Sequence, residues 1–175
     1  MRKIIIPIFI LMIILCSCSG KNKMANDLIN KVNALWDGKE FTDPQKAIEY
    51  LNEVIKLQPD NDSSYIIRGN IYGTLGQHQM AIDDYTKAIG LNPTNAECFN
   101  NRATIYNKLG QYQLAIKDLD EAIRLNSNDA AFYSNRGSIH LRHGDQKTGC
   151  LDAQKACALK FCDLLEWAKK EKYCR

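Results

Sequence analysis

Residues 62–95 read DSSYIIRGNIYGTLGQHQMAIDDYTKAIGLNPTN, and this stretch decides the fold. It holds two runs in which apolar residues recur every three to four positions. Leu75-Gly76 separates the runs and Asn92-Pro93 closes the second. Such spacing marks amphipathic helices, and Gly accepts the left-handed conformation that ends one. The stretch is a helix–turn–helix hairpin.

Outward from it, the pattern recurs. Gly76, Gly110 and Gly144 stand 34 residues apart. The same period links Ala88, Ala122 and Ala156, and Leu91, Leu125 and Leu159. It also links Arg68, Arg102 and Arg136, and Asp84, Asp118 and Asp152. Ala81 and Ala115 are followed in register by Gly149, and Tyr72 and Tyr106 by His140. Agreement at so many positions defines an internal repeat. A single hairpin cannot bury its apolar face alone, so neighbours must stack to form the core.

Residues 62–95 carry Tyr65, Gly69, Tyr72, Gly76, Ala81, Tyr85, Ala88 and Pro93. With these they resemble the tetratricopeptide repeat (TPR) family. A second copy, 96–129, carries Phe99, Ala103, Tyr106, Gly110, Ala115, Leu119 and Ala122, with Ser127 in place of the closing Pro. A third, 130–160, carries Tyr133, Gly137, Gly144, Ala153 and Ala156, and departs at His140 and Gly149. A degenerate copy, 27–61, keeps Ala47, Leu51, Leu57 and Pro59 in register, but its first helix, near Asp27 to Asp37, lacks the Gly and Tyr signature. Residues 161–175 read as a capping helix with Phe161, Leu164, Leu165 and Ala168 turned inward. The resemblance implies an all-α solenoid of three clear repeats, one degenerate repeat and a cap.

The chain of 175 residues is 45% hydrophobic and 25% charged, which is ordinary globular composition and excludes collagen, bulk disorder and a multi-pass membrane protein. A net charge of +3 from 23 basic and 20 acidic residues is too balanced for bulk-charge recognition of nucleic acid. The first residues read as an address. Arg2 and Lys3 precede an apolar run, Ile4 to Leu15. At about 1.5 Å per residue the run reaches about 18 Å, short of the ~30 Å hydrocarbon core. It is the hydrophobic region of a signal peptide, 1–17. Leu15-Cys16-Ser17-Cys18 resembles a bacterial lipobox, with Cys18 as the acylated residue. The competing reading is a plain signal peptide or an uncleaved anchor. Ser19 stands where an Asp commonly retains Gram-negative lipoproteins at the inner membrane, so the resemblance implies an outer-membrane location. Residues 18–26 are expected to be a flexible, lipidated tether.

The basic and acidic ladders have a geometric reading. In a hairpin turning near residue 76, positions 68 and 84 lie opposite each other. Salt bridges Arg68–Asp84, Arg102–Asp118 and Arg136–Asp152 are expected, partly exposed and worth ~0–1 kcal/mol each. The alternative is a row of exposed arginines that binds a ligand. His78, His140 and His143 lie in no nucleophile arrangement, and no HExxH, P-loop or GxGxxG motif is present. No catalytic residue, metal or cofactor is expected.

Seven cysteines remain to be placed. Cys16 leaves with the leader and Cys98 reads as a small buried hydrophobe. If the cap returns antiparallel on the last repeat, Cys174 comes back beside Cys150, while Cys157 and Cys162 flank the turn. That favours disulfides Cys150–Cys174 and Cys157–Cys162 in an exported chain. A metal- or redox-active tail is the rival reading, although the spacing lacks the CxxC pairs of zinc and redox sites.

The resemblance also implies a groove lined by the first helix of each repeat, where partner segments bind. In this chain those positions are Asn70, then Asn100, Asn101, Thr104, Asn107 and Lys108, then Ser134, Asn135, Ser138 and Arg142. Asn both donates to and accepts from an extended peptide backbone. The clamp that some family members use for a C-terminal carboxylate is undermined by Ile66, Ala131 and Asn135, where it requires basic residues. The alternatives are that the Asn residues form a solvated face, or that the degenerate repeat or the convex side makes the contact. The function implied is a membrane-anchored scaffold for a protein or peptide partner.

Overall fold

Gly76, Gly110 and Gly144 all take positive φ, at 74°, 74° and 90°, and so end the first helix of three successive hairpins. In the computed structural model, which describes the backbone of residues 8–174 and side chains from Gly20 onward, nine helices follow in order among the described residues. They are α1 (Ile8–Ala34), α2 (Pro44–Leu57), α3 (Asp62–Thr74), α4 (His78–Leu91), α5 (Ala96–Lys108), α6 (Tyr112–Leu125), α7 (Ala130–Arg142), α8 (Gln146–Ala158) and α9 (Asp163–Lys170). Each packs on its sequence neighbour, and α3, α5 and α7 also touch in series. The fold is an all-α TPR solenoid.

Local chemistry starts the helices at the same period. The side chains of Asn61, Asn95 and Asp129 each accept from a backbone N–H in the first turn of α3, α5 and α7. These caps satisfy N–H groups that the helix itself cannot. The core then runs through the stack. Val32, Ala47, Ile48, Leu51 and Ile71 form one cluster, and Tyr65, Ala81, Tyr85, Ala88, Cys98 and Ile105 the next. Phe99, Ala115, Leu119 and Phe132 follow, and Leu141 packs with Ala168 and Cys174 at the end.

Two expectations are corrected. Residues 20–26 are not a flexible tether: α1 continues through them. Ala25 is fully buried, in register with Leu28 and Val32, and packs with Val54. Asn22 also accepts a hydrogen bond from the Gln58 side chain at 3.1 Å. The helical register of three apolar residues outweighs the polar composition around them. Phe161 is 43% exposed and does not face inward, because it lies in the turn before α9. Leu164, Leu165 and Ala168 make the inner face of the cap. The leader 1–17 and the acylation site Cys18 lie outside the residues whose side chains are described. Among the described residues no helix is long and apolar enough to cross a membrane.

The departure at Gly149 has a packing reason. A Cβ there would stand 2.6 Å from Leu141 Cγ and 2.9 Å from Leu141 N. Leu141 is buried, and its equivalents one and two repeats earlier are Asn107 and Gly73. The large side chain on α7 therefore demands the smallest residue on α8. Gly149→Ala should lower stability by about 1–3 kcal/mol through overpacking. Leu141→Ala combined with Gly149→Ala should cost less than the sum of the two single changes, as read from urea unfolding midpoints.

Candidate functional site

The arginine ladder is turned inward. Arg68 donates from Nε and Nη2 to the two oxygens of Asp84 at 2.8 and 2.6 Å. Arg102 grips Asp118 in the same fork at 2.7 and 2.8 Å, and Arg136 grips Asp152 at 2.9 and 2.8 Å. The three carboxylates are 5%, 6% and 5% exposed, while the arginine side chains are 17%, 15% and 20% exposed, so each pair is partly exposed as expected, with its acid buried. The hydrogen bonds to Asp84 and Asp118 are the main reason that the Arg68 and Arg102 guanidinium groups sit above their ordinary pKa. The remaining nitrogen, Nη1, reaches back to the preceding repeat. It meets Asn52 from Arg68, Thr86 from Arg102 and Asp120 from Arg136. Aromatic rings flank each guanidinium: Tyr65 and Tyr72 at Arg68, Phe99 and Tyr106 at Arg102, Tyr133 at Arg136.

Each arginine thus joins three helices and leaves little charge for a ligand. The members at 52, 86 and 120 share the period but not the residue type, which hid them from a search for identical residues. Arg102→Met should strand Asp118 as an unpaired buried charge and lower unfolding free energy by about 3–5 kcal/mol. Lys108→Met, on the exposed face, should change it by less than about 0.5 kcal/mol in the same urea titration.

The groove residues sit together on α3, α5 and α7. Asn101 Nδ2 donates to Asn70 Oδ1 at 3.3 Å, and Tyr85 Oη donates to the same oxygen at 2.7 Å. Asn135 Nδ2 donates to Asn100 Oδ1 at 2.8 Å. The amides therefore form a chain from repeat to repeat. Thr104, Asn107, Asn135 and Ser138 surround a small cavity of about 70 Å³ between α5 and α7. The Thr104 hydroxyl donates to the Asn100 carbonyl within α5. Lys108 and Arg142 are exposed at the helix ends, and Ser134 is half-buried. This face is polar, ordered, and linked across three repeats.

Two of the three histidines have structural partners. His140 Nδ1 lies 3.4 Å from Asp145 Oδ2, and the His143 ring stacks on Tyr112 with centroids 3.6 Å apart. Cys98 is fully buried, and burial pushes its thiol up to about 12, far from a reactive thiolate. The tail cysteines form Cys150–Cys174 and Cys157–Cys162, with Cα atoms 5.6 and 4.0 Å apart. Paired in this way, they have no thiolate to offer a metal. In the purified chain, non-reducing peptide mapping should recover both linkages. Reduction should lower stability by about 2–4 kcal/mol, while Cys98 should react with iodoacetamide only after denaturation.

Comparison with known proteins agrees with this architecture. Family models described as tetratricopeptide repeat match residues 39–61, 63–95 and 84–117, and one described as TPR repeat matches 103–144. The chain belongs to the tetratricopeptide repeat family. Among solved structures, this TPR chain is similar to a crystal structure of MamA, at 25% identity and TM-score 0.65, covering 74% of this chain and 72% of that one. It is similar to the first TPR of Spaghetti bound to the HSP90 peptide SRMEEVD, at 26% identity and TM-score 0.60, covering 64% and 89%. A tetratricopeptide repeat protein from Parabacteroides merdae shares the fold, at 24% identity and TM-score 0.69, covering 76% and 52%. No curated protein sequence matches. The TPR architecture supports a protein-interaction scaffold.

Proposed function

We propose that this TPR chain is a lipid-anchored scaffold of the bacterial cell envelope that holds an extended segment of a partner protein along α3, α5 and α7. The observation that carries the reading is the chain of amides Asn70–Asn101 and Asn100–Asn135 on that face. Amide side chains offer both donors and acceptors to a peptide backbone. A similar TPR structure, that of Spaghetti, holds a bound peptide. Ile66, Ala131 and Asn135 occupy positions where a carboxylate clamp needs basic groups, so the partner segment is read as internal rather than C-terminal. Anchorage rests on the lipobox-like Leu15–Cys18 and the apolar run before it. Two signals of membrane attachment, acyl chains on one Cys, give stable association at ~0.8 kcal/mol per buried methylene.

The test combines anchor and groove. Cys18→Ala should block processing and release the chain from the membrane fraction, and globomycin should cause a larger precursor to accumulate. Crosslinking in intact membranes should capture a defined partner, lost when Asn70, Asn101 and Asn135 are changed together to Ala. Unchanged fractionation refutes the anchor, and an unchanged crosslinked set refutes the groove.

A further inference from the structure

The first hairpin turns differently from the others. Residues 75–77, 109–111 and 143–145 close the later hairpins, whereas the connection between α1 and α2 runs from Leu35 to Asp43. The longer loop is ordered. Trp36 and Phe41 form an antiparallel bridge, and Thr42 N donates to the Leu35 carbonyl at 2.9 Å. Asp37 Oδ1 accepts from the backbone N–H groups of Lys39 and Glu40, both at 2.8 Å. Yet Trp36 is 48% exposed, resting edge-on against Phe41 with centroids 5.1 Å apart. Trp is among the residue types that most often anchor a protein–protein contact.

Between this loop and α3 lies a cavity of about 500 Å³. Its size falls in the ~300–1,000 Å³ range of ligand pockets. Trp36, Phe41, Ile67 and Ile71 supply apolar walls, and Asn70 stands at one side. Asn70 also ends the amide chain along α3, α5 and α7, so a segment bound on that face leads directly into the cavity. The electrostatics select the segment further. Lys39 and Glu40 line the cavity and balance each other, Asp37 and Asp43 add two negative charges to the same loop, and residues 27–61 carry seven acids against four lysines, a difference of −3. A hairpin of net negative charge attracts basic groups and disfavours acidic ones.

We propose that this cavity receives a large apolar side chain carried on a basic stretch of the partner protein. The assignment rests on the scaffold reading above and adds the chemistry of its ligand. The ordered loop makes the pocket pre-formed, so binding loses little to loop ordering.

The probe is a random twelve-residue peptide library, selected on the purified full chain. Enriched peptides should place a Leu, Met, Phe or Trp beside Lys or Arg. Trp36→Ala should weaken their binding at least tenfold, and Glu40→Lys should abolish the preference for basic flanks. Both residues are exposed, so circular dichroism should show an intact fold. Enrichment of acidic or wholly polar peptides, binding unaltered by Trp36→Ala, or no enrichment overturns the assignment. So does a concentration-dependent dimer that Trp36→Ala dissolves, since the occupant is then a second copy. Peptides lost with Asn101→Ala but kept with Trp36→Ala leave the groove standing and remove the pocket. The reverse pattern keeps the pocket and removes the groove.

Discussion

Every hairpin in this chain has two apolar sides and only one of them is covered by its own partner helix. The other side must be covered by the next hairpin, and this constraint organises the rest of the structure. It explains why aromatic residues such as Phe99 and Phe132 sit where one repeat meets the next. It also explains why the ends are special. At one end α1 covers α2, and at the other α9 covers the last hairpin and is tied to it by Cys150–Cys174.

Arginine supplies direction to that otherwise non-directional packing. Apolar contact tolerates small slips between helices, but a guanidinium gripping a buried carboxylate in a fork tolerates few. The third nitrogen extends the grip to the preceding hairpin through Asn52, Thr86 or Asp120. The stack is thereby held in register by a polar device that repeats with the fold. The same geometry explains why the arginines are structural groups and the asparagines face outward: each has its own side of the first helix.

The repeat was legible because identical residues recur at one period, and the Arg–Asp forks were legible because both partners share it. What escaped was carried by residues without a repeated identity. Asn52, Thr86 and Asp120 do the same task with three side chains. Ala25 looked like part of a polar linker until its register with Leu28 and Val32 placed it against Val54. The Trp36–Phe41 loop belongs to the one hairpin that lost its glycine signature, so no comparison with the other copies could predict its shape. That the expected groove residues fall on the first helices was readable, but their amide-to-amide bonding was not. That bonding depends on how far apart adjacent first helices stand.

The two ends of the solenoid are closed by different means, and this makes the molecule mechanically polar. A quasi-one-dimensional stack opens from its ends, where each unit has a single neighbour. The final unit is covalently closed onto its cap, so opening there is limited by chain connectivity as well as by packing. The other end is held by noncovalent contacts of α1 alone among the described residues. Fraying is therefore directed toward the hairpin that bears the aromatic loop. A segment bound against that loop would act as a clasp on the softer end, adding its binding energy to the stability of the terminal hairpin.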